Sequence, residues 1–202
     1  MPHHLPEHRL CVYCGSSPGK SPEYMSAARA LGTAMAREGV GLVYGGGSIG
    51  LMGEVARSVL AAGGHVTGII PQFLVQKERM LDGVNELIVT NSMHERKHLM
   101  FEKSSGFVAL PGGIGTLEEL AEITTWAQLN QHAKPVIVAD VGGYWAHLLK
   151  LLDHMRAENF IRADTEVFLD VAKTVDDVIP LYRQRLTTAR QKVPLAAIRQ
   201  QL

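Results

Sequence analysis

The chain has 202 residues, of which 46% are hydrophobic and 20% are charged, and this is the composition of a globular protein of one ordinary domain. Its 20 lysines plus arginines balance its 20 aspartates plus glutamates, which argues against a protein that mainly coats nucleic acid, because such proteins usually carry a basic excess. The N-terminus has no apolar stretch of the signal-peptide kind and no run is long enough to span a bilayer, so we expect a cytoplasmic protein without membrane partners.

Short apolar runs alternate with longer helical patterns along the chain. The predicted strands cover 10–13, 41–44, 66–70, 86–89, 106–110 and 136–139, with a weaker candidate at 166–169. The predicted helices cover 22–38, 49–62, 92–103, 116–130, 144–158 and 176–186. Because the strands are apolar almost throughout, we expect an α/β fold with a parallel sheet covered on both faces. Right-handed crossovers then predict a Rossmann-like, doubly wound single domain (9–186) between a flexible N-terminus (1–8) and a C-terminal tail (187–202).

The first predicted strand ends in a turn of small residues, Cys14-Gly15-Ser16-Ser17. Ligands of such sheets lie beyond the carboxyl ends of the strands, so we expect Ser16 to contact a ligand. Cys11 and Cys14 have the C-x-x-C spacing of a redox pair, but residues three apart on a strand point to opposite faces. No helix N-terminus is there to stabilise a thiolate, so we assign Cys11 to the core and Cys14 to the loop.

A second turn, Gly45-Gly46-Gly47-Ser48-Ile49-Gly50, follows the second strand and matches G-x-G-x-x-G. A dinucleotide site would also need an acidic residue at the end of the next strand, and that strand ends in Ile70-Pro71. NAD and FAD are therefore disfavoured, and the missing G-K-[ST] ending disfavours nucleoside triphosphate hydrolysis. We expect Gly46 and Gly47 to contact a different ligand. The long stretch 71–84 has no clear element and is expected to flank the site.

The segment Ser92-Met93-His94-Glu95-Arg96-Lys97-His98 starts a helix, with Ser92 as its N-cap. It contains H-E-x-x-H, which binds zinc in metalloproteases. The two inner positions are charged here and no third-ligand motif follows, so we expect no metal. Two interpretations remain: Arg96 and Lys97 bind an anionic ligand, or they form a solvated basic face. Their place after a strand favours the ligand.

The sharpest motif is Pro111-Gly112-Gly113-Ile114-Gly115-Thr116, which directly follows one strand and opens a helix. Its glycines allow backbone N–H groups to face a phosphate at the positive end of the helix, and Thr116 either caps the helix or offers its hydroxyl. The alternative is a turn that only connects the two elements. Glu118 and Glu119 either complement the helix dipole or hold a ribose and stabilise positive charge.

Four motifs therefore occur in order, at 14–17, 45–53, 93–97 and 111–119. With M-H-E-R-K and P-G-G-I-G-T-L-E-E among them, the chain resembles the Lonely Guy family of cytokinin riboside 5′-monophosphate phosphoribohydrolases, from about residue 9 to about residue 186. The resemblance implies a Rossmann-like homodimer that releases free base and ribose 5-phosphate, with Arg96 and Glu119 as the catalytic pair and without a cofactor. The candidate substrate contacts are Ser16, Gly46, Gly47, Met93, Lys97, Gly112, Gly113, Gly115, Thr116 and Glu122.

Three roles are open to Glu119: it grips the ribose hydroxyls, stabilises the developing cation or orients water. Arg96 is a poor proton donor because its pKa is high, so we expect it to act electrostatically. The chief alternative is a non-catalytic carrier of a nucleotide or of the molybdenum cofactor, which would not require this pair. A DNA-handling module is opposed by the neutral charge. Relatives have also been called lysine decarboxylases, but no lysine here lies in a recognisable pyridoxal phosphate setting.

Overall fold

The computed structural model describes residues 5–75, 80–161 and 169–192, with side chains described as far as residue 188. The strands are β1 (His8–Tyr13), β2 (Val40–Tyr44), β3 (Val66–Pro71), β4 (Glu86–Thr90), β5 (Gly106–Ala109), β6 (Val136–Ala139) and β7 (Asp170–Ala172). The α-helices are α1 (Pro22–Arg37), α2 (Gly50–Ala61), α3 (Gln72–Val75), α4 (Met93–Glu102), α5 (Ile114–Gln128), α6 (Ala146–Ala157) and α7 (Val178–Lys192).

The strands form one parallel sheet in the order β4-β3-β2-β1-β5-β6-β7. The chain builds outward from β1 to β4, then returns past β1 and builds outward again from β5 to β7. The direction reverses between β1 and β5, and doubly wound sheets bind their ligands at the carboxyl edge beside such a switch point. The predicted Rossmann-like α/β domain is confirmed.

Helices bury apolar side chains on both faces of the sheet. On one face Leu31 and Met35 of α1 are fully buried in a cluster that also includes side chains of α2 and α7. On the other face Met100 of α4 and Leu120 of α5 join a second cluster. Each fully buried aliphatic side chain contributes about 1.5–3 kcal/mol, so the strand ends that carry the loops rest on a well-packed base. None of the described helices is long and apolar enough to cross a membrane.

Most boundaries differ from the sequence-based prediction by one or two residues, and the differences at two helix ends concern Thr116 and the predicted tail. Helix α5 begins at Ile114 with Gly113 as N-cap, before the predicted start at 116, so Thr116 lies inside the first turn and does not cap it. The N–H groups of this first turn have no partner inside the helix. Helix α7 continues to Lys192, into the predicted tail. Residues 166–168 of the weaker strand candidate lie outside the described residues, and its last residue, Leu169, precedes β7.

Candidate active site

Three glycine-rich loops meet at the carboxyl edge of β1, β2 and β5. The Gly15 N–H donates to the Pro111 carbonyl at 3.0 Å, and the Leu51 N–H donates to the Gly15 carbonyl at 3.0 Å. Gly50, at φ +62°, approaches the first loop so closely that a Cβ there would lie 2.3 Å from the carbonyl carbon of Ser16. The three loops are therefore packed as one unit, with Ser16 on its exposed surface.

The loop after β5 has one glycine that packing requires and two that leave open space. A Cβ at Gly112 would lie 2.2 Å from the Thr116 hydroxyl oxygen, whereas a Cβ at Gly113 or Gly115 would meet nothing within 4 Å. No side chain caps the N-terminus of α5. The first N–H groups of the helix are thus available beside open backbone, and this is the arrangement that binds a phosphate.

The second loop is covered at its base by the end of the 71–84 stretch. The Leu81 N–H donates to the Gly46 carbonyl at 3.3 Å, and Gly47 forms an isolated antiparallel bridge with Met80. The stretch therefore flanks the loops, as predicted, at its described C-terminal end. The ligand contacts of Gly46 and Gly47 stay a prediction.

Arg96 lies in the first turns of α4 and is buried, with its side chain 10% exposed. Ser92 caps this helix as predicted and accepts from the Glu95 N–H at 3.1 Å. The Arg96 Nη1 donates to the Met93 sulfur at 3.8 Å. A Cβ at Gly45 would lie 2.4 Å from the Arg96 Nη2, so the glycine makes room for the guanidinium. Among the described residues Nε has no hydrogen-bond partner, which leaves a buried cation with unused donors.

Glu119 faces Arg96 from α5, one helical turn beyond Thr116. The Arg96 Nη2 donates to the Glu119 Oε1 at 3.4 Å, and the carboxylate side chain is 12% exposed. Burial raises the pKa of Glu119 to about 7, because the nearby guanidinium only partly offsets the loss of water around the carboxylate. The predicted catalytic residues are therefore brought together, and the carboxyl group titrates near neutral pH. The structure does not test their roles.

Lys97, Glu118 and Glu122 form a second set of charges between the same helices. The Lys97 Nζ donates to the Glu118 Oε1 at 2.7 Å and to the Glu122 Oε1 at 3.0 Å. Burial disfavours the Lys97 ammonium, but these two carboxylates outweigh it and raise its pKa. The substrate contacts predicted for Lys97 and Glu122 stay a prediction, since in this structure the two side chains bind each other.

Tyr144 borders the loop after β5, although it belongs to none of the sequence motifs. Its hydroxyl donates to the Gly112 carbonyl. The one available signal is position: Tyr144 comes shortly after β6, whose carboxyl end lies on the same edge of the sheet as those of β1 and β5. Reaching Gly112 from there depends on the fold, because the two residues are 32 positions apart.

The other motifs considered for chemistry are occupied by ordinary contacts. His98 Nε2 lies 3.2 Å from the Glu102 Oε1, and within the described part of the chain no group of three or more His, Cys, Asp or Glu side chains could hold a metal ion. Cys11 and Cys14 are free and buried, and burial raises the pKa of both thiols. This is the opposite of an activated thiol.

Comparisons with known proteins point to one family. A family model described as "possible lysine decarboxylase" matches residues 52–181. The chain is 53% identical over 153 residues to a probable cytokinin riboside 5′-monophosphate phosphoribohydrolase of Oryza sativa subsp. japonica, covering 76% of this chain and 67% of the relative. It is 46% identical over 171 residues to a cytokinin riboside 5′-monophosphate phosphoribohydrolase of Arabidopsis thaliana, covering 85% of this chain and 80% of the relative.

A solved structure of the molybdenum cofactor carrier protein of Chlamydomonas reinhardtii has the same fold, with a TM-score of 0.67. The two chains are 26% identical, and the match covers 89% of this chain and 98% of the carrier. The identity to the phosphoribohydrolases is much higher over a similar share of the chain. The chain therefore belongs to the Lonely Guy family, which takes in the cytokinin riboside 5′-monophosphate phosphoribohydrolases.

Proposed function

We propose that this protein hydrolyses the N-glycosidic bond of N6-substituted adenosine 5′-monophosphates and releases the free base and ribose 5-phosphate. The observation that carries the proposal is the buried Arg96–Glu119 pair beside an uncapped helix N-terminus. The names of the plant relatives, which act on cytokinin riboside 5′-monophosphates, support the same substrate class.

The 5′-phosphate is assigned to the loop after β5. The N–H groups of Gly113, Gly115 and Thr116 can donate to its oxygens, and the positive end of α5 favours its charge. Binding at this remote group fixes the ribose relative to the helix, so part of the binding free energy goes into orientation at the reacting bond.

Glu119 is assigned to the ribose. The C1′–nitrogen bond breaks with its electron pair on the departing base, which leaves positive charge on the ribose. Water then adds its hydroxyl to C1′, and its proton balances the charge of the departing base. An ionised Glu119 stabilises the positive charge, and a carboxylate whose pKa is about 7 is also suited to accept the proton of the attacking water near neutral pH.

Arg96 is assigned an electrostatic role. Its guanidinium is always charged, it is largely shielded from water, and its Nε has no partner within the described residues. An oxygen or nitrogen of the substrate can use these donors, and charge stabilisation is strong in such a desolvated place. Arg96 also lowers the pKa of Glu119 and so partly offsets the rise that burial causes.

The test is an assay of base release: the purified protein is incubated with substrate without added metal, and the free base is measured by chromatography. The substrates are AMP and N6-isopentenyladenosine monophosphate, with the matching ribosides and triphosphates as controls. We expect release from the monophosphates alone, faster from the N6-substituted one, and loss of release in Glu119→Gln. Nucleotide binding without release in the wild type would refute the proposal and favour a carrier.

We further propose that the protein works as a cytoplasmic homodimer with no nucleic-acid partner. Exposed apolar side chains such as Ile114 and Phe160, 83% and 84% exposed, are available for contact with a second copy, and two free buried cysteines suit a reducing compartment. Light scattering and cell fractionation test the two statements: a monomer at micromolar concentration would refute the first, and a secreted protein the second.

A further inference from the structure

The hydrogen bond between Tyr144 and Gly112 links two loops at the carboxyl edge of the sheet. Tyr144 follows the turn Val141–Gly143, in which Gly142 and Gly143 have φ values of +60° and +72°. These left-handed conformations, which glycine adopts without strain, bring the chain back toward the loop after β5. The tyrosine hydroxyl then donates to the Gly112 carbonyl.

The Tyr144 ring is held in place by two aromatic neighbours. It packs edge-on against Tyr24 of α1, with ring centroids 5.6 Å apart, and against Trp145, with centroids 5.0 Å apart. The backbone beside it is anchored as well, because the Trp145 N–H donates to the Asp140 carboxylate at 2.7 Å. The hydroxyl therefore has a defined position relative to Gly112.

The geometry of the peptide bond carries this position to the ligand side of the loop. The Gly112 carbonyl and the Gly113 N–H belong to one planar trans peptide and point in opposite directions. With its carbonyl held by Tyr144, this peptide turns the Gly113 N–H away from Tyr144. No described residue accepts from that N–H, and the space beside Gly113 is open.

Two consecutive glycines make this peptide easy to rotate, because neither residue has a Cβ to restrict its dihedral angles. No side chain among the described residues caps α5, so no capping hydrogen bond holds this peptide. The Tyr144 hydroxyl is the side-chain contact that fixes the carbonyl, so it also decides which way the N–H faces.

We propose that Tyr144 is a positioning residue that holds the Gly112–Gly113 peptide with its N–H toward the 5′-phosphate of the substrate. The inference rests on the proposed function, in which the loop after β5 binds that phosphate. Tyr144 itself touches neither the phosphate nor the reacting atoms.

The experiment compares Tyr144→Phe with Tyr24→Phe. The first variant keeps the ring and its packing and removes only the hydroxyl. The second removes the hydroxyl of the neighbouring ring, which makes no hydrogen bond with any described residue. Dissociation constants for AMP and for adenosine are measured by calorimetry in a Glu119→Gln background, so that the ligand is not consumed.

We expect Tyr144→Phe to weaken AMP binding roughly two- to tenfold, the range of one neutral hydrogen bond, and to leave adenosine binding unchanged. Tyr24→Phe should change neither constant. In the otherwise wild-type enzyme, Tyr144→Phe should raise KM for the monophosphate by the same factor while kcat stays within about twofold.

Unchanged AMP binding in Tyr144→Phe would overturn the inference, and so would an equal loss for AMP and adenosine, because that would indicate a general structural role. AMP binding no tighter than adenosine binding in the parent would also overturn it, since the loop would then not hold a phosphate. Tight AMP binding without base release would refute the proposed function alone, and the comparison of the two variants would still decide the role of Tyr144.

Discussion

Three ion pairs join α4 to α5, one made by Arg96 and two by the adjacent Lys97, and they differ in length and in burial. Arg96 and Glu119 are separated by 3.4 Å, with side chains 10% and 12% exposed. Lys97 binds Glu118 at 2.7 Å and Glu122 at 3.0 Å, and the Glu118 side chain is 52% exposed. The Arg96 pair is therefore the more buried one and lies beside the glycine loops, whereas the Lys97 pairing reaches the surface at the half-exposed Glu118.

This difference indicates that the Arg96 pair and the Lys97 pairs have different roles. The Lys97 pairs have short hydrogen bonds, and a pair of this exposure contributes about 1 kcal/mol or less to stability. The Arg96–Glu119 pair is largely buried, and its contact is long. Among the described residues the Arg96 Nε has no hydrogen-bond partner. Such a pair contributes little to stability. The unpaired Arg96 Nε is suited to donate a hydrogen bond to a substrate.

The largest expected effect separates the two neighbouring glutamates. Glu119→Gln should lower kcat by about 10³-fold, because it removes the charge that faces the ribose. Glu118→Gln changes the adjacent residue in the same way and should leave kcat within about twofold, because the Glu118 side chain is half-exposed and pairs with Lys97. Steady-state base release measures both, and equal losses would show that the distinction between the pairs is wrong.

A smaller effect is expected from exchanging the two cations. Arg96→Lys keeps the charge but loses the planar set of donors, and we expect kcat/KM to fall about 10²-fold. Lys97→Arg still reaches two carboxylates and should change kcat/KM less than about threefold. Rates of base release from the same monophosphate decide this. An unchanged kcat/KM in Arg96→Lys would contradict the role given to the guanidinium.

The pH dependence of the reaction should show the titration of Glu119. Burial raises its pKa to about 7, so the active carboxylate is lost as the pH falls below that value, and kcat/KM should drop about tenfold per pH unit there. The substrate phosphate also titrates, near pH 6. AMP binding to Glu119→Gln across the same range isolates that contribution. A rate profile with no step near pH 7 beyond it would contradict the assignment.

The smallest effect concerns stability. Lys97→Met removes the contacts that tie α4 to both outer carboxylates, and we expect the free energy of unfolding to fall by about 1 kcal/mol or less. Denaturant unfolding measures the loss. Lys103→Met offers a matched control, because it removes a lysine that pairs at 3.0 Å with Glu86 at the C-terminal end of α4. A loss of several kcal/mol confined to Lys97→Met would mean that this pair is not a peripheral contact.

The motifs account for much of the site in advance of the structure. Strand–loop–helix context places the residues 112–116 and Arg96 at one edge of a parallel sheet, because all strands of such a sheet end there. The start of α5 and the contribution of Tyr144 do not follow from sequence. The first depends on how the loop leaves β5, and the second on a contact between residues 32 positions apart.

By itself, the sequence determined the α/β alternation, the glycine loops and the charged residues that follow them, because periodicity and backbone freedom are local properties. The family resemblance pairs Glu119 with Arg96, but only the tertiary structure decided that Glu119 is buried beside the guanidinium while Glu118 meets Lys97. Glu118 and Glu119 are chemically identical and neighbours in the chain. Their burial, their partners and the pKa of Glu119 arise from the packing of α5 against α4, which brings together residues 23 positions apart.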